Sequence, residues 1–215
     1  MIKKILRKLS EILQNFFLFG IGRLIRKFKK RPLPKNPDGR RLIHIGCGLF
    51  NNPRFINVDV RPGWHIHFID TLQDCARLFP FEYADLIYGC HVLEHIPYTD
   101  VKPTLQKLYR TLKPGGILRL SVPNFSVIVS MYQEKHALQD ILPPLMGGQG
   151  YAANFHYGAF DERYLEKLLL ESGFRAVRRW DPTTAADHPF NDWAGRYFPL
   201  YDKSWPISLN LEGIR

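Results

Sequence analysis

Cysteine is scarce in this 215-residue chain: three residues, at 47, 75 and 90, none in a CxxC pair. That leaves no disulfide framework and points to a reducing compartment, so the expected location is the cytoplasm. Long hydrophobic runs are lacking as well. The longest apolar tract, residues 16–21, is interrupted by Gly20 and falls well short of the roughly 18 to 20 residues that span a bilayer. Basic residues such as Arg23, Arg26 and Lys27 follow it instead of a small-residue cleavage site, which argues against a secretion signal. The common phosphate-binding glycine motifs are incomplete. After Gly46 and Gly48 the third position of G-x-G-x-x-G is Asn51, and no Gly-Lys-Ser/Thr follows, which disfavours a nicotinamide dinucleotide or a nucleoside triphosphate. No HExxH occurs, and His91, His95, His156 and His188 match no compact ligand spacing, so no metal site is expected.

Acid is nearly missing from one part of the chain. Residues 1–35 hold eleven Lys and Arg against the single Glu11, which accounts for the whole formal charge of +10. The remainder is formally neutral, so nucleic acid is not an expected partner. Within the basic segment, apolar residues at 2, 5, 6, 9, 12, 13, 16, 17, 21, 24, 25 and 28 recur at helical spacing with lysines and arginines opposite. An N-terminal amphipathic helix over residues 2–28 is therefore expected. Its apolar stripe suits an anionic membrane surface, on the inner face of the membrane, or protein, as its own domain or a second copy in a homodimer. Phe19 and Leu18 on the otherwise polar flank favour lipid. The stretch RPLPKNPDG, residues 31–39, then breaks the helix. Two units are expected: residues 1–38 as arm and linker, and residues 39–215 as the main domain.

From Arg41 onward strand and helix patterns alternate. Strands are predicted at 42–45, 55–60, 65–69, 84–89, 117–122, 174–180 and 207–213. Helices are predicted over 100–112 and 161–172, the second capped by Asp161 and stopped by Gly173. This order predicts an open α/β sheet with ligands beyond the carboxyl ends of its strands, at residues 46–52, 59–63, 70–74, 89–95 and 123–126. Only residues 49–54 separate Gly48 from the next strand, too few for a normal crossover helix.

Gly46 and Gly48 let backbone approach a ligand closely, and Asp59 ends the second strand where it can accept from both hydroxyls of a ribose. A ligand with a ribose and no phosphate fits this loop best. With HIGCG at 44–48, NVD at 57–59, DT at 70–71, DLIYGCHVLEHI at 85–96, LKPGGILRLSVPN at 112–124 and ESGF at 171–174, the chain resembles the class I S-adenosylmethionine-dependent methyltransferases over roughly residues 40–180, and the terminal ISLNLEGIR looks like that fold's last, antiparallel strand. The resemblance implies a Rossmann-like seven-stranded methyltransferase sheet and S-adenosyl-L-methionine as cofactor. It implies that Gly46 and Gly48 pass beneath the methionine part, that Asp59 binds the ribose, that Asp70 lies near the adenine edge, and that Cys90, His91 and Glu94 line the methyl-transfer end. His44 stands where the family commonly carries an acid, two positions before the first glycine.

A sulfonium methyl is already activated, so the protein must chiefly align an acceptor and exclude water. A hydroxyl acceptor also needs a group to take its proton, for which His91 and His156 are the candidates. The glycine- and aromatic-rich segment 147–162 offers Tyr151, Phe155 and Tyr157 as a sugar-stacking surface, and segment 187–197 offers His188, Asn191, Asp192, Trp193 and Arg196 for acceptor recognition. The expected activity is methyl transfer to a small-molecule or glycan acceptor, lipid-linked where the arm lies on a membrane. FINVD followed closely by LEH is similar to methyltransferases associated with surface polysaccharide and glycolipid assembly. The alternative, motivated by His44, is a non-catalytic scaffold of the same fold that binds a partner through its arm.

Overall fold

A computed structural model describes residues 31–215; the amphipathic helix expected over residues 2–28 lies outside the described residues. Strands β1 (Leu42–Ile45), β2 (Phe55–Asp59), β3 (Phe68–Ile69), β4 (Ala84–Cys90), β5 (Leu112–Pro123), β6 (Ala176–Arg179) and β9 (Ser208–Ile214) form one sheet in the order β3-β2-β1-β4-β5-β9-β6. The first five run parallel, and β9 enters antiparallel between β5 and β6. All seven expected strands are there. The third is two residues long, shorter than the pattern predicts, because the His67 ring intervenes: its Nδ1 accepts the Asn57 backbone N–H at 2.9 Å. A small hairpin of β7 (Phe198–Leu200) and β8 (Lys203–Trp205) stands apart.

Side-chain alternation along β1 shows how the sheet is covered. Ile43 and Ile45 join Ile56, Val58 and Ile87 in a core completed by Leu105 and Leu108 of α1 (Tyr98–Thr111). Leu42 and His44 point the other way, toward Phe55, Leu86, Tyr88 and Trp180. Among the described residues that second face is closed by the connection between β6 and β7, through Phe190 and Ala194, and not by a helix. Two further helices, α2 (Phe125–Lys135) and α3 (Leu138–Met146), follow β5. The last, α4 (Glu162–Glu171), starts as predicted: Asp161 accepts the Tyr164 N–H at 2.7 Å, and Gly173 follows at φ +110. Among the described residues no helix is long and apolar enough to cross a membrane.

Leu105 is fully buried between α1 and the sheet. Leu105→Ala is expected to destabilise the domain by about 2–5 kcal/mol, since both transfer energy and a cavity are involved. A lowered urea midpoint with unchanged slope checks this, and an unshifted midpoint would contradict the packing described.

Candidate functional site

The carboxyl ends of β1, β2, β4 and β5 open on a cavity of about 630 Å³. Its floor is the turn after β1, where Gly46 and Gly48 adopt φ +64 and +56. A Cβ on Gly46 would lie 2.6 Å from Val92 Cγ2, so the turn after β4 packs directly on the loop. At Gly48 the nearest atom would be Arg61 Nη2 at 3.6 Å, so there it is the left-handed backbone that requires glycine. Residues 49–54 form no helix. The loop therefore lacks the helix N-terminus that would hold a pyrophosphate.

Asp59 closes β2 with 5% of its surface exposed. Its Oδ2 accepts the Gly48 N–H and its Oδ1 the Arg61 N–H, each at 2.8 Å. A carboxylate accepts about four hydrogen bonds, so each oxygen keeps a direction for a ligand hydroxyl. Asp70, buried just after β3, accepts the Thr71 N–H and pairs with Arg77 at 3.0 Å.

At the other end of the cavity β4 gives way to His91, whose φ of 49 turns the chain out of the strand while its N–H still donates to Ser121 O at 2.8 Å. Its Nε2 lies 2.8 Å from Ser208 Oγ. The serine hydroxyl donates its own hydrogen to the Trp193 carbonyl at 2.6 Å, so it accepts from Nε2–H. Nδ1 then carries the lone pair, 3.5 Å from Glu94 Oε1. Glu94 sits in a 3-10 turn, Leu93–His95, and is 1% exposed. Neither of its carboxylate oxygens has a hydrogen-bond donor among the described residues. His95 Nε2 and His156 Nε2 lie 4.0 and 3.9 Å from the same Oε1. Burial pushes the Glu94 carboxyl up to about 8 and holds His91 down at about 3, with neighbouring His156 adding to the shift. His156 falls to about 4 by burial and the nearness of His95, and burial lowers His95 too. The three imidazoles are neutral at pH 7, and the Glu94 carboxyl, held up at about 8, is largely protonated there, so the cluster is one of neutral groups, not of ions.

His44, Gly46, Gly48, Asp59, Asp70, Cys90, His91, Glu94, Tyr151, His156 and Trp193, all singled out from the sequence, line this one cavity. The His44 ring is 4.9 Å from Tyr88 and 4.6 Å from Phe190, and burial holds it at about 3. It is a neutral packing residue where the family commonly has an acid. Burial pushes the Cys90 thiol up, so it is a protonated wall and no nucleophile. Five expected acceptor contacts are not in the cavity wall. Phe155 faces His95 with its carbonyl, and Tyr157 is exposed. The His188 side chain is buried outside the cavity wall, held by Tyr88 Oη at 3.1 Å and the Pro182 carbonyl at 2.9 Å. Asn191 and Arg196 are exposed and bond to each other at 2.6 Å. Asp192, offered with the acceptor-recognition segment, lines the cavity too, whereas His95, Arg61 and Val92 line it without having been singled out for a role there. Of these, Arg61 had a signal in its place two residues after Asp59. The fold also gathers Glu94, His95 and His156, which sequence spacing did not connect, so that one ligand atom of each lies within 4.8 Å of the others.

The family model described as a methyltransferase domain matches residues 17–179. The structure is similar to that of a SAM-dependent methyltransferase from Archaeoglobus fulgidus, with a TM-score of 0.52 and 15% identity over 97% of this chain and 94% of that one. It is similar too to a SAM-dependent methyltransferase from Thermotoga maritima, with a TM-score of 0.51 and 13% identity over 99% and 96% of the two chains. At such identities the likeness is one of fold. No curated protein matches the chain. A cofactor with a ribose and no phosphate fits the site, because the glycine loop has no helix behind it and the Asp59 carboxylate offers two free acceptor directions. With the family matched over most of its length, the chain belongs to the class I methyltransferases, as an enzyme that takes its methyl group from S-adenosylmethionine.

Proposed function

We propose that the enzyme methylates a hydroxyl oxygen of a small-molecule or glycan acceptor. The observation that carries this reading is His91: a neutral imidazole at the end of β4, its Nδ1 lone pair turned to the cavity by the Ser208 contact on its other nitrogen. Bound S-adenosylmethionine supplies a methyl group activated on a positively charged sulfur. Asp59 accepts from the ribose hydroxyls, Gly46 and Gly48 let the backbone pass under the methionine part, and Asp70 stands by the adenine edge. Cys90, His91 and Glu94 border the methyl end. His91 Nδ1 takes the acceptor's proton during attack. His156, the other histidine considered for that role, faces it across Glu94. Tyr151, with Arg61 5.0 Å from its ring centroid, and Trp193, with its ring 6.0 Å from that of His91, offer flat faces against which a sugar ring packs and excludes water.

A lipid-linked acceptor is supported by the FINVD and LEH pattern and by the basic arm, which suits the anionic inner face of the membrane. Each basic residue near such a surface adds about 1 kcal/mol. Deleting residues 1–30 spares Asn36, whose side chain ties down the Arg40 and Arg54 carbonyls. This deletion is expected to abolish cosedimentation with anionic vesicles and to leave S-adenosylhomocysteine affinity unchanged. Undiminished cosedimentation would remove the membrane part of the proposal.

Calorimetric titration with S-adenosylmethionine and with S-adenosylhomocysteine, with NADH as control, tests the cofactor end: the first two bind saturably and NADH does not. Radiolabelled methyl transfer to nucleotide sugars and lipid-linked glycans tests the acceptor end. Label found only on amines or on nucleic acid would overturn the hydroxyl assignment.

A further inference from the structure

Hydrogen-bond accounting at the inner end of the cavity does not close. His95 donates its Nδ1–H to the Phe155 carbonyl at 3.0 Å, which puts the lone pair on Nε2, with the His91 carbonyl also beside this ring. The carbonyls of Leu145 and Pro144 stand beside the His156 ring as acceptors, and its Nε2 lies 3.9 Å from Glu94 Oε1. His91 presents the Nδ1 lone pair. The three imidazoles converge on the Glu94 carboxyl, 1% exposed and without a donor on either oxygen among the described residues, so that a proton or a metal cation has to lie between them. Buried acceptors facing one another are unfavourable unless something positive lies between them.

We propose that Glu94, His95 and His156 bind a divalent transition-metal ion with an open position for the hydroxyl oxygen of the acceptor. The ligand set is two imidazole nitrogens and one carboxylate oxygen, which suits zinc, cobalt, manganese or ferrous iron; magnesium and calcium prefer oxygen alone. Three protein ligands leave positions open for substrate. The Nε2 to Oε1 separations of 4.0 and 3.9 Å exceed the about 3.0–3.4 Å expected between neighbours around an ion with bonds of about 2.1 Å. Small rotations of the two histidine side chains close the difference.

The surrounding structure holds the ligands as metal-bound histidines are held. The Phe155 carbonyl fixes the His95 tautomer so that Nε2 faces the site. The Tyr157 and Gly158 N–H groups both donate to the Glu94 carbonyl, at 2.7 and 3.1 Å, and so tie the loop that carries His156 to the turn that carries Glu94 and His95. These contacts serve neither the glycine loop nor the ribose carboxylate.

The cation site stands on ligand geometry alone; its use on an acceptor oxygen rests on the hydroxyl-methylation reading above. In that use the oxygen forms its bond to the methyl carbon as the sulfur–carbon bond breaks, the electron pair of that bond stays on sulfur as S-adenosylhomocysteine leaves, and the hydroxyl proton goes to His91 Nδ1.

Tag-free, full-length protein stripped with chelator and titrated with Co²⁺ and Zn²⁺ tests the site. One equivalent of Co²⁺ should bind with a visible absorption band, be displaced by Zn²⁺, and be unaffected by excess Mg²⁺. Glu94→Gln and His156→Asn are each expected to weaken Co²⁺ binding at least about 100-fold, as outer-shell changes alone cost 10- to 100-fold. His136→Asn, a change at an exposed histidine outside the cavity, leaves it unchanged. S-adenosylhomocysteine binding by the same samples reports separately on the fold and on the cofactor reading. Lack of saturable Co²⁺ and Zn²⁺ binding in protein that binds S-adenosylhomocysteine would overturn the metal site, the carboxylate then sharing a proton with its histidines. Binding that survives both substitutions would overturn it as well. Metal binding by protein indifferent to S-adenosylhomocysteine would instead sink the methyl-transfer reading and leave the metal site standing. Equal transfer by stripped and by metal-restored enzyme would remove the acceptor-holding role.

Discussion

Asp59→Ala is expected to weaken S-adenosylmethionine binding at least about 100-fold, because two hydrogen bonds to a charged acceptor are lost at about 1.5–3 kcal/mol each. The carboxylate is nearly buried, so water does not replace it as a ribose partner. Part of the effect is structural, since the Gly48 and Arg61 N–H groups also lose their acceptor. Asp59→Asn separates the two contributions: it keeps the size and one carbonyl acceptor but removes the charge, and its loss of affinity should fall between wild type and the alanine variant. Thermal unfolding of the free proteins reads the structural part on its own. Calorimetry decides the outcome. An alanine variant that binds as tightly as wild type would overturn the assignment of Asp59 to the ribose and with it the orientation of the cofactor in the cavity.

The sheet was legible because strands buried on both faces read as short continuous apolar runs, as LIHI of β1 and FINVD of β2 do. The ends of those strands were legible for a related reason: Gly46, Gly48, Asp59 and Glu94 follow their strands within a few residues, so knowing the strand locates the residue. What escaped is set by tertiary contact. Pro143 and Pro144 read as helix breakers, yet α3 forms around them. It is held by Ile141 against Ile128 and Met131 of α2, and it walls the cavity. The three-residue strands of the β7–β8 hairpin are too short, and Pro199 too disruptive, to show a period. In segment 187–197 the composition suggested acceptor contact but carried no direction. Trp193 reaches the cavity, whereas the His188 side chain is held away from it by Tyr88 and Pro182. The grouping of His95 with His156 was invisible to any spacing rule, because it depends on backbone bonds from Tyr157 and Gly158 to Glu94 that only the fold provides. The opposite case is His44, whose departure from the family pattern looked like a mark against catalysis. Its place among Tyr88, Phe55 and Phe190 is a matter of packing, and the scaffold alternative loses its motivation there.

His91→Asn is expected to lower the rate of methyl transfer by about 10²- to 10⁴-fold, the usual range for loss of a positioned proton acceptor. Asparagine is the informative replacement because His91 has φ 49, a left-handed conformation that asparagine adopts more readily than other side chains. The turn out of β4 is therefore preserved, together with the bond from the backbone N–H of residue 91 to Ser121. The amide places an oxygen near the position of Nδ1, where it accepts a hydrogen bond from the acceptor but does not take its proton. In the wild type His91 Nδ1 lies 3.5 Å from Glu94 Oε1, which is placed to accept from the N–H that the proposed transfer would create. A structural effect of the substitution would appear in cofactor binding, so S-adenosylhomocysteine affinity should be measured beside the single-turnover rate on the acceptor found in the glycan screen. Unchanged affinity with a rate lost by two decades or more assigns the proton to His91. A rate that persists near wild type means that approach and alignment alone carry the reaction, and the cavity's chemistry then rests on how the acceptor oxygen is held and not on who takes its proton.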